Sequence, residues 1–188
     1  MKWLLLCTVL VLGLSACDSD ADGANPASTF SPTASTDATP PSSSSTPSGP
    51  VEPRLPAAAR TATKAGAEAF VRYYWDVVNY AQLTGDTRLL RGLHMPSCDA
   101  CASGVSWIDS VYRRNGSITG TNRLDAARAM HLGGAAPFWI VEMKVHATRQ
   151  RVSGAGKLNQ TYPAGTFDAR FVIKPGGQSW KVTSWSEQ

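Results

Sequence analysis

The sequence predicts an α+β domain in which three helices precede about four antiparallel strands, carried behind a leader and a tether. Three observations predict it. Apolar residues recur with helical spacing before residue 116, they alternate with period two after it, and composition changes abruptly near residues 17 and 57. Residues 1–16 are 12 of 16 apolar, residues 18–56 only eight of 39, and residues 57–188 return to 59 of 132. The core must therefore be built from the last stretch. It holds 14 of the 16 aromatic residues and lies within single-domain size, so neither a metal nor a disulfide is required for folding.

The leader has one positive residue, Lys2, followed by an apolar run over residues 3–12 that only Thr8 interrupts. That is about half of what a bilayer core of ~30 Å demands, so the segment reads as an export signal. Leu14-Ser15-Ala16-Cys17 matches the bacterial lipobox, in which small residues before the cysteine suit a lipoprotein signal peptidase. Cys17 is then the acylated mature N-terminus, palmitate being a typical chain, and Cys7 lies in the part removed. Two or more chains anchor stably where one is marginal. The expected location is the outer face of the cytoplasmic membrane, with the membrane as a partner through the N-terminal lipid.

Between residues 18 and 56, Ser, Thr and Pro make up 22 of 39 residues, and Phe30, Val51 and Leu55 are the only bulky apolar ones. Such a segment cannot offset its ordering entropy and is expected to be a disordered tether, spanning roughly 35 Å as a flexible chain. The expected domains are thus a signal peptide over 1–16, a lipidated cysteine and tether over 17–56, and a folded unit over 57–188. The tether carries one Arg against five acids, and the folded unit 16 basic residues against nine acidic. A basic domain on an acidic leash, outside the membrane, meets anionic lipid headgroups, wall polymers or an envelope protein. Nucleic acid is not expected, because no basic and aromatic reader motif is present.

Residues 64–83 place Phe70, Tyr73, Tyr74, Val77 and Ala81 on one helical face. Thr84-Gly85-Asp86 breaks that helix, and Asp86 can cap a short second one through Leu93, which Met95-Pro96-Ser97 ends. A third helix is predicted from about residue 99 to 114 with Val105, Ile108 and Tyr112 inward, stopped by Asn115-Gly116. Residues 118–132 are predicted as a strand with Leu124, Ala126, Met130 and Leu132 on one face. Over 138–148, Trp139, Val141, Met143, Val145 and Ala147 alternate with polar residues, as in a half-buried antiparallel strand. Phe167, Ala169, Phe171 and Ile173 do the same in the next. Pro175-Gly176-Gly177 then turns the chain into a last strand whose Trp180, Val182 and Ser184 share a face.

Three helices followed by antiparallel strands resemble the nuclear-transport-factor-2-like (cystatin-like) cone, which implies a long first helix packed into a curved sheet. More narrowly, Ala69-Phe70-Val71-Arg72-Tyr73-Tyr74-Trp75, Asn79-Tyr80-Ala81, Thr84-Gly85-Asp86 and Cys98-Asp99-Ala100-Cys101 are similar to a family of actinobacterial lipoproteins of unknown function. That resemblance implies location and fold, and no chemistry.

Cys98 and Cys101, three apart at the start of the third helix of an exported chain, are read as a structural disulfide. Redox use would need an exposed thiolate and lacks the thioredoxin-like strand-helix-strand context, while a zinc site with His94 lacks further ligands. No metal or cofactor is expected. The inward faces of the two clearest strands carry no titratable group, so an acid–base residue in a cone would have to be Asp125, Arg128 or His131, or Asp76 or Asp109 of the helices. Tyr74, Trp139, Phe171 and Trp180 either wall a pocket for an apolar ligand or fill the core. Lys144, His146, Arg170 and Lys174 are candidates for a basic patch on the outer sheet face. The expected function is a lipid-anchored, non-catalytic binding or assembly module. The alternative is a small-molecule enzyme of the hydrolase, isomerase or dehydratase type, with Asp125 or His131 as its acid–base group.

Overall fold

The computed structural model describes residues 49–134 and 137–188. The leader, Cys17 and most of the expected tether lie outside the described residues. Leu55, within the expected tether, already packs against the core.

Helix α1 (Lys64–Thr84) is capped by Thr63, whose side chain accepts from the Gly66 N–H (3.1 Å), and ends at Gly85 with φ of 78°. Its apolar stripe is wide because two layers cover it. The bent sheet takes one side, and a 3-10 turn, Ala57–Arg60, crosses the first turns of the other. Gly66 permits that crossing, since a Cβ there would lie 2.0 Å from the Thr61 carbonyl oxygen. Helix α2 (Arg88–Gly92) follows, its Arg88 N–H bonded to Asp86 Oδ1 at 3.0 Å, so the expected capping carboxylate acts just ahead of the helix. Helix α3 (Asp99–Tyr112) ends in a turn through Asn115, which takes a left-handed φ of 57°. Asp109 ties α2 to α3 by accepting from Thr87 Oγ1 (2.9 Å) and pairing with Arg91. Among the described residues no helix is long and apolar enough to cross a membrane.

Among the described residues eight strands follow: β1 (Ser117–Thr119), β2 (Asn122–Leu124), β3 (Arg128–His131), β4 (Trp139–Ala147), β5 (Gln150–Ser153), β6 (Gln160–Tyr162), β7 (Gly165–Gly176) and β8 (Ser179–Glu187). They form a sheet ordered β2-β4-β7-β8, with β3 beside β2 on the same edge of β4, and a second sheet ordered β1-β5-β6. The expected sheet of about four strands is the width of the first. The second continues it, because Val152 pairs with Gln160 in the same offset that pairs Ala147 with Gly165. Strands β4 and β5, and likewise β6 and β7, are therefore long strands bent at residues 148–149 and 163–164, and the bend wraps the sheet around α1.

Two expected alternations fail, for one physical reason. Between the pairs Leu124↔Val145 and Arg128↔Glu142, residues 125–127 stand opposite only residues 143 and 144. That extra residue reverses the parity. Ala129 is buried, its N–H bonded to Glu68 Oε1 at 3.0 Å, while Met130 and Leu132 are 46% and 51% exposed. In the last hairpin Ile173 pairs with Val182 but Val172 with Ser184, so Thr183 is extra. Ser184 is consequently exposed and Trp185 turns inward, stacked on Phe171 at 5.9 Å. The outer edge of β8 is covered by the link between α2 and α3, where Val182 N–H donates to Leu93 C=O (2.9 Å) and Met95 N–H to Val182 C=O (2.8 Å).

Candidate functional site

At the bend, the C-terminal half of α1, the N-terminal half of α3 and the sheet leave a cavity of about 270 Å³ that opens to solvent. Its apolar wall is aromatic. Trp75 meets Phe167 and Trp185 with ring centroids 6.2 Å apart in each case, and Trp107 stands edge-on to Tyr162, also at 6.2 Å. The described residues that line the cavity include no Asp, Glu, Lys, Arg or His.

The polar part of the wall is a relay of amides anchored on one backbone residue. Asn79 Nδ2 donates to the Asn122 carbonyl (2.8 Å) and Asn79 Oδ1 accepts the Asn122 N–H (2.8 Å). Those two backbone groups fix which way the Asn79 amide faces. Asn122 Nδ2 must then point at Asn79 Oδ1 (3.1 Å) and reaches Gln82 Oε1 (3.4 Å), while Asn122 Oδ1 accepts from Gln150 Nε2 (3.3 Å). Gln82 Nε2 and Gln150 Oε1 are left without partners among the described residues. Trp75 Nε1 is buried and also lacks one. Burial pushes the Tyr74 phenol well above its ordinary pKa, keeping it protonated.

The four aromatic residues singled out from sequence divide. Tyr74 lines the cavity. Phe171 and Trp180 are 0% and 1% exposed and pack inside the closed end, Trp180 edge-on to Trp139 at 5.8 Å. Those three fill core, and the wall is instead Trp75, Trp107, Tyr162, Phe167 and Trp185. Trp75, Val78 and Gln82 share α1's helical spacing one position away from the stripe read as core, so a wider reading of that face would have found them.

Cys98 and Cys101 form a disulfide, both residues buried at the start of α3. The outer sheet face is not a bare basic patch. Lys144 pairs with Asp168 (2.8 Å), Arg170 with Glu142 (3.6 Å) and His146 with Asp125 (3.0 Å), while Lys174 has no carboxylate within bonding range among the described residues. The hydrogen bond from His146 holds the Asp125 carboxyl below the usual range. Asp125 and His131, the expected acid–base candidates of an enzyme, both lie on the surface, His131 against the Trp139 ring at 5.0 Å. Asp76 and Arg128 are exposed, and Asp109 is engaged between α2 and α3. Among the described residues no group of three or more His, Cys, Asp or Glu could hold a metal.

A family model described as a family of unknown function, DUF6318, matches residues 39–184. The chain belongs to that family. No curated protein sequence matches this DUF6318 chain. Among solved structures, its fold is similar to the intermembrane space region of the chloroplast protein ARC6, with a TM-score of 0.52 and 13% identity over 66% of this chain and 95% of that one. At that identity the likeness is one of fold alone. An uncharacterized protein with a cystatin-like fold from Caulobacter vibrioides aligns with a TM-score of 0.45 and 7% identity, over 65% of this chain and 85% of that one. The DUF6318 match begins at residue 39, so it takes in part of the Ser/Thr/Pro-rich stretch as well as every described residue of the cavity wall except Trp185.

Proposed function

We propose that this chain is a lipid-anchored extracytoplasmic protein whose folded domain is a non-catalytic binding module. The aromatic cavity at the sheet bend takes a small, uncharged ligand. The observation that carries this reading is the composition of the wall, with six aromatic residues and three amides but no carboxylate, imidazole, ammonium or guanidinium. An acid–base enzyme needs a group that exchanges protons near neutral pH beside its substrate. Tyr74, the ionisable group packed deepest in this wall, is moved away from that range. An ionic ligand would lose its hydration there and gain no counter-charge. The lipobox and the export signal support the anchoring and envelope location.

The cavity is tested with a neutral environment-sensitive dye, N-phenyl-1-naphthylamine, added to the full chain. A saturable fluorescence gain that Trp107→Ala weakens is expected. No gain at any concentration would remove the binding reading. Anchoring is tested by Cys17→Ala, which should release the protein from the membrane fraction, and persistence of that variant there after a carbonate wash would count against lipidation.

A further inference from the structure

The amide relay narrows the ligand further than its lack of charge. Each amide orientation follows from the Asn122 backbone, so the polar atoms left over are of definite kind: Gln82 contributes an N–H donor and Gln150 an oxygen acceptor. Gln82 is 9% exposed and Gln150 half-buried, and both line the cavity, so the spare donor and acceptor are reached from its interior. A ligand that displaces water from the cavity must supply partners for both groups or leave them unpaired. A hydrocarbon ligand would leave the donor and the acceptor unpaired, and a carboxylate or phosphate could use the donor only, with no counter-charge.

Neighbouring hydroxyls on a ring each donate and accept, which matches a donor and an acceptor separated by one amide. The same ring has C–H faces that pack on aromatic surfaces, and Trp107 and Tyr162 form a corner of two such surfaces with rings at 79°. A volume of about 270 Å³ lies just below the range of drug-sized sites, enough for one ring and not for a chain of them. We infer that the cavity binds a neutral sugar ring, with Gln82 and Gln150 bonding adjacent hydroxyls and Trp107 and Tyr162 packing on its C–H face. This rests on the binding reading above and names its ligand class.

The full chain, loaded with the naphthylamine dye, is titrated with glucose, galactose, mannose and N-acetylglucosamine, each to 100 mM (~0.1 M, ample even for a weak millimolar site). At least one sugar should displace the dye saturably. Gln82→Leu should weaken that sugar about tenfold or more, the loss of one well-made hydrogen bond, and weaken the dye by a smaller factor. Gln150→Leu is the second variant and should act in the same direction should Gln82→Leu fold poorly. Dye binding that no sugar displaces would overturn the sugar inference and leave the binding module standing, as would displacement by N-acetylglycinamide alone, which would assign the donor and acceptor to a peptide amide. Failure of the dye and of every sugar would overturn both.

Discussion

Asn79 is expected to matter more to stability than Asn122, although the two side chains bond each other. Asn79→Ala removes the partners of two backbone groups, the Asn122 N–H and C=O, at 2.8 Å each, and one side-chain bond at 3.1 Å. The two backbone groups sit in a partly buried strand edge that faces α1, where a lost partner is not fully replaced by water. At about 1–2 kcal/mol for each orphaned group, the loss is about 2–4 kcal/mol. A domain of this size shifts by ~3–4 °C per kcal/mol, so the melting temperature should fall by roughly 6–16 °C. Asn122→Ala keeps both backbone bonds and removes only side-chain bonds, for about 1 kcal/mol. Urea denaturation followed by tryptophan fluorescence measures both. Equal losses, or a larger loss for Asn122→Ala, would refute the claim that the relay is anchored on the Asn122 backbone.

Further outcomes follow from the same structure. Replacing Cys98 and Cys101 with serine should lower stability by about 2 kcal/mol, the closure entropy of so short a loop, and the wild-type chain should lose the same amount under reducing agent. Denaturation with and without dithiothreitol checks it. Gly85→Ala should cost about 2–4 kcal/mol, because φ is 78° there and a Cβ would lie 2.5 Å from the Tyr112 ring. Thermal unfolding reads that loss, and Gly104→Ala, with open space around it, is the matched control.

The helices were legible in the sequence because their signals are local. The spacing of Phe70, Tyr74 and Val77, the break at Gly85 and the stop at Asn115 are each read within a turn or two of chain. Strands β4, β7 and β8 were legible for the same reason, but residues 118–132, expected as one strand, form β1, β2 and β3 in two sheets, β5 and β6 were not read, and two strand faces were missed. The extra residue within 125–127 and the extra Thr183 reverse alternation without leaving a Gly or Pro to mark the place. A bulge is a property of the pairing partner's length as much as of its own sequence, and period-two reading carries the wrong parity past it. The same cause hid part of the cavity, since Trp185 reaches the wall only because Thr183 is bulged. The other hidden part was the relay, in which Asn79, Asn122 and Gln150 come from one helix and two strands up to 71 residues apart, and amides advertise no chemistry in sequence. The outer sheet face misled in the opposite way. Lys144, Arg170 and His146 were visible as a basic set, but Asp168 and Glu142 sit across the strand pair from Lys144 and Arg170, and Asp125 lies beside His146.

The central claim, that the open aromatic cavity and not the closed end receives the ligand, is tested most directly by the indole N–H resonances of the full chain in a nitrogen–proton correlation spectrum. Trp75, Trp107 and Trp185 line the cavity, whereas Trp139 and Trp180 pack in the closed end. On addition of the naphthylamine dye the first three resonances should move along saturable courses, and the last two should stay in place. Movement confined to Trp139 and Trp180, or no movement of Trp75, Trp107 and Trp185 at saturating dye, would contradict it.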